Sequence, residues 1–347
     1  MKILSRPEKV KNILVVRQHN QIGDIIVSVP MFAALKKKFP NASLALAAAQ
    51  TNYPVPFLKM NPYLSEAIVF DRSSLINVIK FFIKLRKTKF DIGIVPSTIK
   101  ISRTSHLINY LSGAKIRIGV RSVGSVSNKS SRLLNIKSDY EWIKNNIHQI
   151  KRNLDVVQQI GCFLSEEEIN DCLQSSIQRN LPFAEKFIHN QYKNRNKPLI
   201  GIHVGAGQKK NIWPALNYFQ LIEKLLEKFA LNLLITCGPL DSEIVEKLSH
   251  KFKKLKIKYV VEKEFELNDL TGIISKMDLF ITNNTGTMHI AGTTGVNMIS
   301  LFTEAEAAEW NPYGENKFYV QSKTDNINDI SVNEVLELAL KILNKQN

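Results

Sequence analysis

Three stretches of this sequence set a glycine beside a residue able to move a proton or hold an anion. The first is Asn20-Gln21-Ile22-Gly23-Asp24. Gly23 lets backbone approach a ligand closely, and Asp24 opens a helix, where a carboxylate can take a proton from a substrate hydroxyl. The same position also suits a plain helix cap. The second is His203-Val204-Gly205-Ala206-Gly207, followed by Gln208-Lys209-Lys210-Asn211-Ile212-Trp213-Pro214. Here a strand enters a glycine turn, two lysines follow, and a proline opens a helix. Backbone N–H and ammonium groups so placed suit a phosphate, although an ordinary strand-to-helix turn has the same pattern. The third is Asn283-Asn284-Thr285-Gly286-Thr287-Met288-His289. The N–H groups of Thr285, Gly286 and Thr287 favour an anion at a helix start, and His289 follows about one turn on. His289 reads equally as a satisfied core histidine.

Other chemistries find no support. The glycines do not form GxGxxG, a P-loop or a GxSxG elbow. The seven histidines make no HExxH and no two-histidine, one-carboxylate spacing, so no protein-held metal is expected. Cys162, Cys172 and Cys237 form no CxxC pair, which points to a reducing compartment.

The elements that position these motifs follow from hydrophobic spacing. In the second half Leu199–Val204, Leu231–Cys237, Lys256–Val261, Leu279–Thr282 and Met298–Phe302 read as short apolar strands. They alternate with helical patterns over Pro214–Phe229, Asp241–Phe252, Leu267–Met277 and Thr285–Thr294. Such alternation predicts a parallel sheet covered on both faces. The first half has strands at Asn12–Val16, Leu44–Ala49, Ala67–Phe70, Asp91–Val95 and Ile116–Val120. Ile22–Phe39 alternates like a helix with a break at Pro30, Leu75–Leu85 is a basic amphipathic helix, and Tyr140–Ile160 reads as one long helix. Ser122–Ser131 has the composition of a surface loop. The polar segment from about Ser165 ends in a hinge-like Asn194-Arg195-Asn196-Lys197-Pro198. At 347 residues the chain suits two domains, expected at 1–183 and 184–347. The fold class is α/β, with two doubly wound Rossmann-like domains facing across a cleft and ligands at the carboxyl ends of their strands.

No apolar run approaches the ~18 residues a bilayer span needs, and Ile13–Val16 is too short for a signal peptide, so a cytoplasmic location is expected. The net charge of +16 is unevenly spread. Residues 1–183 hold 27 Lys and Arg against 12 Asp and Glu, whereas the remainder hold 20 against 19. The first half therefore suits an anionic partner, unless its lysines are merely a solvated coat. It lacks an aromatic-basic face of the nucleic-acid type, so no nucleic acid is expected.

Taken in order, the motifs resemble those of the ADP-heptose:lipopolysaccharide heptosyltransferases and their relatives in glycosyltransferase family nine. The likeness lies in Ile13-Leu14-Val15-Val16-Arg17 running on to Ile22-Gly23-Asp24-Ile25-Ile26 and Leu35-Lys36-Lys37-Lys38-Phe39-Pro40. It continues in Ile200-Gly201-Ile202-His203 with Gly205-Ala206-Gly207 and Trp213-Pro214, and in Asn284-Thr285-Gly286-Thr287-Met288-His289-Ile290-Ala291. Leu301-Phe302 and Trp310-Asn311-Pro312-Tyr313-Gly314 echo it. The resemblance implies a GT-B fold, with the acceptor on the amino-terminal domain and a nucleotide-sugar on the carboxyl-terminal one. It implies metal-independent, inverting transfer with no separate cofactor, Asp24 being the base and ADP-heptose the co-substrate. Thr285, Gly286 and His289 would hold the donor diphosphate. The turn Gly205, Ala206, Gly207 would line that site with Thr287, Lys209, Lys210, Asn211 and Asn284. Glu243 would meet the ribose and Phe265 the base. Gly23, Arg117, Arg121 and Arg132 are the expected acceptor contacts.

The implied acceptor is an anionic glycolipid, Kdo-lipid A or its heptosylated form. Ser74–Phe90, with Lys80, Lys84, Arg86, Lys87 and Lys89, would then press on the inner face of the inner membrane, or simply pack on the sheet. Two positions depart from the family. Its Asp before Thr-Gly is Asn284 here, and its lysine two places before Trp-Pro is Asn211. These leave open a different nucleotide-sugar donor or an inactive paralogue. A nucleotide-sugar epimerase of the same architecture is a further alternative.

Overall fold

A computed structural model describes residues 4–19, 21–50, 61–192, 197–238, 241–254, 259–262, 265–303 and 307–345. The chain divides into two compact units, Met1–Ser176 and Ile177–Asn347.

In the amino-terminal unit the strands are β1 (Asn12–Arg17), β2 (Ser43–Ala49), β3 (Glu66–Phe70), β4 (Ile92–Ile94), β5 (Ile116–Val123), β6 (Val126–Ser127) and β7 (Ile136–Tyr140). Among the described residues the sheet order is β3-β2-β1-β4-β5-β6, with β7 on β5. All pairings are parallel except the β5–β6 hairpin. Leu14, Val15 and Val16 are buried, as expected of a central strand covered on both faces.

Among its described residues the carboxyl-terminal unit has only parallel pairings. Its strands are β8 (Leu199–His203), β9 (Asn232–Thr236), β10 (Val260–Glu262), β11 (Leu279–Asn283), β12 (Met298–Phe302) and β13 (Lys317–Gln321). They run in the order β10-β9-β8-β11-β12-β13. In both sheets the strand order reverses beside the first strand, at β1/β4 and at β8/β11. In open α/β sheets that switch point is where ligands settle.

Several expectations need correction. The boundary expected at Phe183 falls inside a helix, Leu181–Gln191, that belongs entirely to the carboxyl-terminal unit. Asn180 ties its start to Asn268 O (3.0 Å) and Asp269 Oδ1 (2.7 Å), and Ala184 packs with Phe280 and Met288. The hinge-like residues 194–196 lie outside the described residues. The helix expected over Ile22–Phe39 is two helices, Ile22–Ile26 and Val29–Lys38, because Pro30 belongs in a first turn rather than an interior. Ser122–Ser131 is no open loop: it contains the end of β5, all of β6 and a 3-10 turn. Tyr140 ends strand β7, and the helix begins only at Gln149. The polar stretch after Ser165 carries the helix Glu166–Gln174, opened by a Ser165/Glu168 capping box.

Lys317 lies at the start of β13, nearly inaccessible, with Nζ donating to Thr294 O at 2.8 Å and Val296 O at 2.6 Å. Burial, with a smaller contribution from nearby Arg179, pulls its pKa down to about 7. Between that value and the ordinary lysine value the unfolded chain binds a proton that the folded one does not, so stability rises with pH there. Urea unfolding from pH 7 to pH 10 should show this rise in the wild type and a flatter profile in Lys317→Met.

Candidate active site

Arg17 ends β1, and the chain turns at once into the helix Ile22–Ile26, which places Asp24 over the strand end. Both side chains are buried, with Arg17 Nη2 3.4 Å from Asp24 Oδ1. Asp24 Oδ2 accepts the Gln21 N–H at 3.0 Å, and the Ser28 hydroxyl donates to Asp24 O at 2.6 Å. Arg17 is held in turn by Asn153 Oδ1 (3.1 Å) and Thr98 Oγ1 (3.5 Å). Burial lowers its pKa, against which the Asp24 charge works. The carboxylate belongs to the capping arrangement read from the sequence and sits, facing Arg17, at the switch point of the sheet.

Beside it, at the carboxyl ends of β1 and β4, is a polar hollow lined by Arg17, Gln18, His19, Ser97, Thr98 and Lys100 among others. Ser97 adopts a left-handed backbone (φ 53°), and its buried Oγ lacks a protein partner. Strained residues with unmet polar atoms concentrate where ligands bind. Nothing local in the sequence marks Ser97.

Gly23 is buried within the helix that carries Asp24. The three arginines expected to meet the acceptor fare differently. Arg117 stands at the amino end of β5, which runs parallel to β1 through β4, and so lies at the opposite sheet edge from Asp24. Its guanidinium is spent on Leu133 O (2.6 Å) and Ala114 O (2.8 Å) and covers the Tyr110 ring. It belongs to the scaffold. Arg121 pairs with Asp139 on the surface (3.2 Å), and Arg132 is exposed in a 3-10 turn.

In the carboxyl-terminal unit the motifs converge because β9, β8 and β11 are neighbours. Their ends carry residues 205–207, Gly238 and Asp241, and residues 283–287. Asn283, inaccessible to solvent, ties the end of β11 to the glycine turn after β8 and to the Trp213 helix start. Its Nδ2 donates to Val204 O (3.0 Å) and Gly205 O (3.1 Å), while its Oδ1 accepts from Trp213 N (3.2 Å) and Tyr218 OH (2.9 Å). Each polar atom is used twice, which fixes the glycine turn relative to the Trp213-Pro214 helix start. Asn284, Thr285, Gly286 and Thr287 are half-buried between fully buried Asn283 and Met288, so this stretch meets solvent at the strand end. Ala206 and Gly207 are progressively more exposed.

Lys209 and Lys210 lie exposed on a 3-10 turn, Lys210 within 3.8 Å of Asp325. Asn211 is buried with Oδ1 unpartnered. His289 is buried against the edge of Trp310, at 5.9 Å between rings, which suits the core reading as well as the ligand one. Phe265 packs edge-on to Phe183 (6.4 Å) and Phe187 (5.3 Å), half-buried before the helix Leu267–Ile274. Glu243 is exposed and bonded to Lys247 at 2.6 Å, and that lysine, then Lys209, holds its carboxyl low.

The carboxylate against the glycine turn is instead Asp241, which sequence reading passed over. It is buried and accepts the Gly238 N–H at 2.6 Å, and burial raises its pKa. A Cβ on Gly205 would lie 1.9 Å from Asp241 Oδ2. Gly205→Ala must therefore displace the turn or the carboxylate. Such overpacking costs about 1–3 kcal/mol, read as a lower Tm.

Two doubly wound units in one chain, one with a fixed carboxylate at its switch point and the other with glycine loops gathered at its own, define an α/β protein of the GT-B class. The sequence model of glycosyltransferase family 9 (heptosyltransferase) matches residues 78–339, and the chain belongs to that family of enzymes. It is 23% identical over 318 residues to a Haemophilus influenzae protein whose name goes no further than glycosyltransferase, covering 88% of this chain and 87% of that one. It is 22% identical over 317 residues to lipopolysaccharide heptosyltransferase 3 of Escherichia coli K12, covering 85% and 83%. Among solved structures, E. coli ADP-heptose lps heptosyltransferase II superposes with a TM-score of 0.72 at 18% identity, over 97% of this chain and 100% of that one. At that identity the superposition speaks for the fold.

Proposed function

We propose that this enzyme transfers a heptose from ADP-heptose to an anionic acceptor of the lipopolysaccharide inner core, with inversion and without a metal ion. The observation that carries the reading is the Asn283 tie, which holds the ends of β8 and β11 and the Trp213 helix start as one surface for an anion. The N–H groups of Thr285–Thr287, with Lys209 or Lys210, would take up charge as the diphosphate leaves, without reorganising. Asp24 accepts the proton of the acceptor hydroxyl as that oxygen attacks the anomeric carbon. The glycosidic bond to the phosphate breaks as the new one forms, and ADP departs. The acceptor is a Kdo-lipid A or heptosylated glycolipid, met at the inner face of the inner membrane.

One residue favours a second reading. Asn284 stands where the family places a carboxylate, and removing that charge alters what the site asks of the sugar. A donor panel separates the two. A ligand at a hundred times its Kd stabilises the folded state by about 2.7 kcal/mol. ADP and ADP-heptose are expected to raise Tm more than UDP- or GDP-sugars at equal concentration. A larger shift with another nucleotide-sugar would transfer the assignment to that donor.

A further inference from the structure

The helix Leu75–Thr88 sends its apolar residues in two directions. Phe81 and Leu85 point into the core, where the Phe81 ring lies 4.7 Å from that of Phe70. On the outer side Leu75, Ile76, Ile79 and Ile83 remain 75%, 63%, 49% and 49% exposed. The spacing of Ile76, Ile79 and Ile83 puts them on one helix face. The neighbouring helix Arg103–Leu111 adds exposed Leu107 and Tyr110. Its last residue, Leu111, joins Phe82 and Ile83 in an apolar hollow rimmed by Arg86, Lys87 and Lys89. Lys80 and Lys84 flank the same ridge, and a second hollow runs between them and Ile83. Residues 75–88 include no Asp or Glu; of the acids beside the helix, Glu66 is bridged to Lys84 and Asp71 accepts from Asn77 at 2.7 Å.

A surface helix of a soluble domain normally turns its polar side outward. Here the outer side is aliphatic and bracketed by cations, the pattern of a helix lying in the boundary between acyl chains and headgroups. We infer that this face is a docking surface that seats the amino-terminal unit on an anionic lipid bilayer. Charge complementarity selects that occupant, since Lys80, Lys84, Arg86, Lys87 and Lys89 around the apolar ridge outnumber Glu66 and Asp71 beside it, and the face lies in the half of the chain that holds the basic excess. Isoleucines bury into the boundary while Lys80, Arg86, Lys87 and Lys89 meet phosphates. The inference deepens the proposed function, resting on it only for why a membrane-borne substrate would be met there.

Vesicle flotation tests it, using the full chain with phosphatidylcholine vesicles and with vesicles containing phosphatidylglycerol. The wild type is expected to float with the anionic vesicles at low salt and to release as salt rises. Each basic residue near such a surface is worth about fivefold in partitioning, so Lys80→Glu with Lys87→Glu should weaken binding by about 30-fold or more. Ile76→Ser with Ile79→Ser and Ile83→Ser should weaken it at least tenfold with all charges kept. Both variants should retain the wild-type Tm and transfer to a delipidated, soluble acceptor at the wild-type rate. Wild type that stays with the buffer at low salt, or variants that float as well as wild type, would overturn the inference. So would a triple-serine variant that loses self-association in the absence of lipid, since the face would then join two copies. Failure of transfer to the soluble acceptor by the wild type contradicts the proposed function instead, leaving flotation to judge the docking surface.

Discussion

Asp24→Asn is expected to lower kcat by about 10²–10⁴, the usual contribution of a positioned base, while ADP affinity stays within about twofold. The substitution keeps the shape of the side chain and a group able to accept the Gln21 N–H. It removes the charge that faces Arg17 across 3.4 Å. A buried cation deprived of its partner is costly, and truncation of one member of such a pair typically destabilises by about 3–5 kcal/mol. Tm must therefore be measured beside kcat, and kinetics run well below it. A capping carboxylate with no chemical task would give a lower Tm with nearly normal turnover in the folded fraction. A base gives lost turnover in protein that is folded and still binds ADP.

The second large effect belongs to stability. Asn283→Ala leaves Val204 O, Gly205 O, Trp213 N and Tyr218 OH without their shared partner in a site closed to water. Each buried polar group left unmet costs about 1–3 kcal/mol, and partial relaxation brings the sum to roughly 4 kcal/mol. For a unit of this size that is a fall of about 10 °C in Tm. Donor binding should weaken as well, because the Gly205 turn and the Trp213 helix start are no longer held together. Asn283→Asp retains the two accepting contacts but sets a buried carboxylate oxygen against Val204 O and Gly205 O, so it should destabilise at least as much as Ala. A Tm unchanged in Asn283→Ala would mean that the loops find their positions without this residue.

The carboxyl-terminal sheet was legible in the sequence because β8, β9, β11 and β12 are covered on both faces and so read as short, nearly unbroken apolar runs. Strand β7, Ile136–Tyr140, was not: it is half-buried and polar, with nothing to separate it from the helical pattern that follows. The helix Glu166–Gln174 was announced by Ser165 and Glu168, a signal stronger than the polar composition that hid it. The three motifs were visible because glycines and turn residues gather at strand ends. Their supports were not. Asn153 on Arg17, Asn283 on Trp213 and Asp241 beneath Gly205 are contacts that only folding creates. Arg117 was misjudged for a different reason: as the second residue of the expected strand Ile116–Val120 it already stood at the amino end, away from the strand ends where ligands gather.

Mass spectrometry of a heptose-deficient core glycolipid, incubated with the enzyme and ADP-heptose, reads the account most directly. The product should gain one heptose, release one ADP, form in the presence of a chelator, and be nearly absent with Asp24→Asn. An acceptor left unchanged while ADP-heptose is isomerised or hydrolysed, or transfer that proceeds equally well without the Asp24 carboxylate, would contradict it.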